Sequence, residues 1–77
     1  MGYKTRGAKI HAVFIKGGTE IRIVANREGL RYLSEVCDEL LNEDYDPRKP
    51  PHAHIEPALN TAEPGSVPIE IFLNPDM

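Results

Sequence analysis

Apolar and polar residues alternate in two short segments near the start of the chain. The segments Ala8 to Ile15 and Glu20 to Ala25 are predicted strands, and Lys16-Gly17-Gly18-Thr19 separates them. Two adjacent glycines supply the positive φ angles that a tight hairpin turn needs. A register with Lys16 opposite Thr19 gathers one apolar set on a single face. That set pairs Phe14 with Ile21, Ala12 with Ile23, and Ile10 with Ala25.

A helical repeat of apolar residues follows the second strand. Asn26 is the predicted N-cap, and Glu28 in the first turn complements the helix dipole. We predict that the helix ends between Asn42 and Asp44. Tyr32 and Tyr45 flank the helix, and we expect them to pack at its ends or edges rather than to bind a ligand. The predicted core-facing stripe, in which Cys37 is a buried residue rather than a reactive thiol, consists of Leu30, Leu33, Val36, Cys37, Leu40 and Leu41.

Prolines in the segment 46–51 exclude a regular helix, and two further strands are predicted beyond it. These strands run from His52 to Glu56 and from Pro68 to Leu73, with a polar loop between them. Towards the end of the chain, Val67, Ile69, Ile71 and Leu73 alternate with Pro68, Glu70, Phe72 and Asn74. The predicted fold is therefore α+β with the order ββαββ, in which one helix packs on one face of a four-stranded, mainly antiparallel sheet.

The chain of 77 residues has room for a single domain, 1–77, with residues 1–7 predicted as a disordered tail. A chain this short is close to the size at which one core is marginally stable without disulfides, metal or oligomerisation. The sheet edges and a mixed outer face, which carries Val13, Ile15, Val24 and Phe72, favour a homodimer.

Charge and cysteine content exclude several classes of function. The net charge of −3 and the scattered basic residues disfavour a nucleic-acid binder, which needs clustered Lys and Arg. The single cysteine, Cys37, excludes an intrachain disulfide and fits a reducing cytoplasm. No apolar run approaches the about 20 residues of a membrane span. We therefore expect a cytoplasmic protein that binds neither nucleic acid nor membrane.

The candidate chemistry lies in the run from Pro50 to Glu56. Residues two apart on a strand project from the same face, so His52, His54 and Glu56 should form one row. The outer sheet face would add Glu70 and Phe72 from the last strand, and also His11 and Arg22 from the first two. Exposed histidines that meet a partner are the favoured interpretation. The alternative is a metal or phosphate site that uses His52 and His54, completed across a dimer interface.

A resemblance covers residues 8 to 75. Its motifs are Arg27-Glu28-Gly29-Leu30-Arg31-Tyr32-Leu33 after Asn26, the proline-flanked His52-Ala53-His54, the loop Pro64-Gly65-Ser66, and Ile69-Glu70-Ile71. Together they resemble the immunity protein 32 family of bacterial polymorphic toxin systems. The resemblance implies a small cytoplasmic α+β protein that binds and neutralises a cognate toxin, and it adds Gly65 and Ser66 to the candidate binding residues.

A single helix over a sheet leaves little volume for the concave, water-excluding cleft of an enzyme. A flat face with apolar residues among polar ones suits a protein partner better. We therefore predict a noncatalytic binding protein without a cofactor, with these binding residues: His52, His54, Glu56, Gly65, Ser66, Glu70 and Phe72.

Overall fold

The computed structural model describes residues 7–77. Its elements in chain order are β1 (Ile10–Ile15), β2 (Glu20–Ala25), α1 (Arg27–Asn42), β3 (His52–Ile55) and β4 (Ile69–Phe72), with short 3₁₀ turns at Lys16–Gly18 and Pro57–Leu59. The predicted order ββαββ and the α+β class are confirmed. The predicted disordered tail lies outside the described residues except for Gly7, whose carbonyl accepts a hydrogen bond from Asn26 Nδ2.

The strands form two antiparallel two-stranded sheets, β1–β2 and β3–β4, and the predicted single four-stranded sheet is not seen in the part of the chain that is described. The physical reason is the path of residues 61–68, which run along the free edge of β1. The backbone N–H groups of Glu63 and Val67 donate to the carbonyls of Ile10 and Ala12, each at 2.8 Å. This segment, the β1 seam, takes the position that a third strand would need.

The register of the first hairpin agrees with the sequence prediction at all three apolar pairs. Phe14 lies opposite Ile21, Ala12 opposite Ile23, and Ile10 opposite Ala25. The two glycines of the turn have φ angles of 67° and 86°, which confirms the predicted use of positive φ. The predicted strand start at Ala8 was two residues early, because the structure begins β1 at Ile10.

Asn26 joins the first hairpin to the helix. Its backbone N–H donates to the Lys9 carbonyl at 3.1 Å, while its own carbonyl accepts from Leu30 N and starts the helix. Its side-chain Oδ1 accepts from Gly29 N at 2.7 Å, which confirms the N-cap, and also from Lys9 N at 3.0 Å. The Asn26 carbonyl would otherwise accept from Lys9 N in the hairpin, but it is used by the helix. The Asn26 side-chain oxygen takes its place as the acceptor for Lys9 N.

The buried face of α1 is rotated from the predicted stripe. Its buried residues are Gly29, Tyr32, Val36 and Leu40, and Leu33 is half-buried. The prediction was wrong for Leu30, Cys37 and Leu41, which are exposed. Tyr32, which the predicted stripe did not include, belongs to the core. The rotation follows from Gly29, because a position without a side chain lets the helix approach the Lys9 carbonyl, and this contact turns the neighbouring residues of the face inward.

The core gathers under α1, between the open end of the first hairpin and the second hairpin. Its largest fully buried side chains are Ile10, Val36 and Ile55. The apolar face of the first hairpin is only partly covered. Ile10 and Ala12 are buried, but the three apolar residues nearer the turn, Phe14, Ile21 and Ile23, are 53%, 57% and 49% exposed. Three of the six residues of the predicted apolar face are therefore only about half covered by the rest of residues 7–77.

Tyr32 has a buried hydroxyl with no hydrogen-bond partner among the described residues. Tyr32→Phe should therefore stabilise the fold by about 1 kcal/mol, because it removes an unsatisfied polar group. Burial, assisted by the negative charge of Glu39, raises the pKa of Tyr32 above its ordinary value of 10.0. As the pH rises, the Tyr32 phenol therefore ionises in the unfolded chain before it ionises in the folded protein. As far as this group is concerned, the folded protein has its full stability below pH 10 and loses stability as the pH rises through the folded pKa of Tyr32.

Urea denaturation near pH 8 and again near pH 11 measures both effects. Tyr32→Phe should lose less stability than the parent between the two pH values. Tyr45→Phe is the matched control because Tyr45 is exposed, and it should follow the parent. An equal alkaline loss in Tyr32→Phe and the parent would contradict the burial of this phenol.

Candidate functional site

The predicted histidine row lies on the second hairpin. In the β3–β4 register, His52 is opposite Phe72, and His54 is opposite Glu70. The alternate residues of β3, Ala53 and Ile55, are buried, so the two histidines occupy the other face, as predicted. The pairing brings side chains from both strands together over a short distance. We call the five residues His52, His54, Glu56, Glu70 and Phe72 the histidine row.

The first half of the histidine row is aromatic. The His52 and Phe72 rings stack with centroids 4.8 Å apart and an angle of 13° between their planes. The His54 ring meets His52 edge-on, at 5.1 Å and 85°. His52 Nδ1 lies 2.9 Å from the Pro50 carbonyl oxygen, so Nδ1 carries the hydrogen and donates. This bond fixes the orientation of the His52 ring and leaves Nε2 as a hydrogen-bond acceptor for a partner molecule.

The second half of the row is acidic. His54 Nδ1 lies 3.4 Å from Glu56 Oε2 and 3.7 Å from Glu70 Oε2, so one imidazole stands between two carboxylates. Glu56 is held by Thr61, whose Oγ1 accepts from the Glu56 backbone N–H at 2.9 Å. Two carboxylates beside one imidazole give this end of the row a negative charge. The row therefore presents a ring surface at one end and an anionic surface at the other.

The row is open to solvent rather than enclosed. Phe72 and His52 are exposed, and His54 and Glu56 are half-buried. In residues 7–77, no group of three or more His, Cys, Asp or Glu side chains is arranged to hold a metal ion. The arrangement can contact a partner through stacking, charge and hydrogen bonds, which is the chemistry of a recognition surface.

Gly65 and Ser66, the other two candidate binding residues, are not part of the row. Ser66 is buried in the β1 seam, where its Oγ accepts from Ala12 N at 2.8 Å and donates to the Val67 carbonyl at 3.0 Å. Gly65 has a φ angle of 86° and forms the turn that brings Ser66 to β1. In the structure, both residues help to attach the β1 seam to β1.

His11 and Arg22 also lie apart from the row, because they belong to the first sheet and the row belongs to the second. His11 borders the β1 seam, where its Cε1 lies 3.8 Å from the position that a Cβ would take on Gly65. Thr61 and Pro50 support the row but were missed by the sequence analysis. The prolines before His52 are evident in the sequence, but they do not indicate that the Pro50 carbonyl accepts a hydrogen bond from the His52 ring.

No protein-family model, curated protein or solved structure matches this chain. The resemblance to the immunity protein 32 family therefore stays a prediction. No helix among residues 7–77 combines the length and the apolar character needed to cross a membrane. The fold and site define a class: a small α+β protein with a mixed aromatic and acidic surface on its second hairpin.

Proposed function

We propose that the protein is a noncatalytic cytoplasmic binding protein that neutralises a cognate protein toxin, as the resemblance to the immunity protein 32 family implies. The observation that carries the proposal is the histidine row. A stacked ring pair beside two carboxylates, on an open two-stranded surface, suits a partner surface that combines an apolar contact with basic groups. The net charge of −3 favours the same kind of partner.

The row is built as a rigid surface, which favours binding over catalysis. The His52 ring is fixed by the Pro50 carbonyl and by Phe72, and the backbone of Glu56 is held by Thr61. A preorganised surface loses less side-chain entropy when a partner docks. General acid–base catalysis, by contrast, needs a substrate cleft that excludes water around the reacting groups. The histidine row is open to solvent and partly preorganised, so it suits the binding of a partner better than catalysis.

A protection assay tests the proposal. The proposal expects a large secreted protein with a variable C-terminal toxin domain to be encoded beside the gene for this chain. That domain, produced in bacteria from an inducible promoter, is the toxin probe. Co-production of the parent chain should restore growth. The absence of such a toxin beside the gene, or a failure to restore growth, would overturn the proposed function.

The surface itself is tested with the double variant His52→Ala/Phe72→Ala. Truncation of central aromatic contacts costs about 2 kcal/mol or more, which is about thirtyfold in Kd, so protection and calorimetric affinity should both fall. Leu41→Ala is the matched control, since it truncates an exposed apolar residue on the helix, and it should protect fully. Thermal melting shows that both variants are folded. A folded double variant with parental affinity would place the toxin contact elsewhere.

A further inference from the structure

The outer edge of β2 carries backbone groups that have no partner among residues 7–77. Ala12 directs its N–H and its carbonyl to the β1 seam, away from β2. In an antiparallel pair, the residue opposite such a position also points its backbone groups outward, so those of Ile23 face away from β1. The same holds for Ile21, two residues along. Outside the β1–β2 ladder, no hydrogen bond within residues 7–77 engages the N–H or carbonyl of either isoleucine.

The exposed edge coincides with the exposed apolar face. Phe14, Ile21 and Ile23 are each about half exposed, and they lie on one side of the first hairpin. A two-stranded hairpin is marginally stable without further strands or a covering layer. An open edge beside an uncovered apolar face is the arrangement that another strand completes.

We propose that the occupant of this edge is a second copy of the chain. In this dimer, β2 pairs antiparallel with β2 of the second copy, and the two-fold axis passes beside Ile21. The two hairpins then form a continuous four-stranded sheet. Phe14, Ile21 and Ile23 of both copies share one face of that sheet, and the unpaired backbone groups of Ile21 satisfy each other across the axis.

The charge pattern of β2 favours this register. With Ile21 opposite Ile21, each Glu20 lies directly opposite Arg22 of the second copy, so two cross-strand ion pairs form. Shifting the axis by one residue would place Arg22 opposite Arg22 and lose both pairs. In residues 7–77 Arg22 has no ion-pair partner of its own, whereas Glu20 contacts Lys16 at 3.1 Å. The strand is thus self-complementary in one register.

Sedimentation equilibrium of the untagged chain is the first test. At micromolar concentration the parent should reach a mass near twice 8.6 kDa. Arg22→Glu places two Glu–Glu pairs across the axis, and it should raise the dimer Kd about tenfold or more. Exchanging the charges in Glu20→Arg/Arg22→Glu recreates both ion pairs in reverse and should restore the dimer. In the shifted register, Arg22→Glu would only replace one like-charge pair with another.

A second variant tests the edge independently of the ion pairs. Ile21→Lys puts a charge at the centre of the interface on a side chain that is exposed in the single chain, so it should give a folded monomer. Leu41→Lys is the matched control, because it makes the same change on an exposed helix residue, and it should remain dimeric. A monomeric parent, or a dimer that survives Ile21→Lys, would overturn the proposal.

Discussion

Leu40→Ala should remove much of the stability of this protein, whereas the same change at the adjacent Leu41 should have almost no effect. Leu40 is 6% exposed and packs in the core, and Leu41 is 71% exposed. Deleting a buried leucine side chain costs about 2 to 5 kcal/mol through lost burial and the cavity that remains. A domain of this length has a total stability of about 4 to 12 kcal/mol. Leu41→Ala should stay within about 0.5 kcal/mol of the parent.

Thermal melting followed by circular dichroism measures the difference. For a domain of this size, 1 kcal/mol corresponds to about 4 to 8 °C in Tm, so Leu40→Ala should melt at least about 10 °C below the parent. The neighbouring positions share the same helix and the same loss of atoms, so helix propensity cannot explain a difference between them. Equal melting temperatures would mean that the buried face of α1 is assigned wrongly.

Gly29→Ala should destabilise the fold even though alanine is the better helix former. A Cβ at this position would lie 2.4 Å from the Lys9 carbonyl oxygen and 3.1 Å from both Ala25 Cβ and Asn26 Oδ1. The Lys9 carbonyl is backbone and already accepts from Asn26 N, so it cannot move without breaking the end of the hairpin. We expect a net loss of about 1 to 3 kcal/mol, despite a gain of about 1 kcal/mol in helix propensity.

Urea denaturation of Gly29→Ala and of Ser34→Ala separates the two effects. Ser34 is exposed on the same helix, so Ser34→Ala changes helix propensity without a steric conflict and should be neutral or slightly stabilising. If Gly29→Ala were as stable as the parent, the helix would not approach β1 as closely as the structure has it.

Local patterns predicted the elements of this fold well. The hairpin register followed from alternation and from a glycine pair, and the N-cap followed from one asparagine before a helical repeat. Each depends on residues close in sequence. The burial of the helix did not follow from its apolar stripe, because Gly29 decides which side meets the hairpin. A glycine has no hydrophobic signal, so a pattern of leucines gives the wrong rotation.

The sheet arrangement and part of the site depended on distant contacts. The positions of His52 and His54 in the histidine row were predictable because their spacing lies within one strand. The structural role of Ser66 could not be predicted from its motif, since its hydrogen bond to Ala12 joins residues 54 positions apart. Nothing in the sequence around Ser66 or around Ala12 indicates that the two residues are in contact. The pattern of apolar and polar residues therefore could not predict that the β1 seam, rather than a third strand, lies beside β1.

The β1 seam also has a consequence for the order in which the protein is made. Asn26 ties the first hairpin to α1 through contacts between residues no more than 19 positions apart, so these elements can assemble as soon as residue 42 leaves the ribosome. The Ala12 N–H must then wait for Ser66, because long loops close later than short ones. During that interval both edges of the nascent hairpin are open. Residues 61–68 therefore remove one open, aggregation-prone edge, that of β1, only after most of the chain has been made.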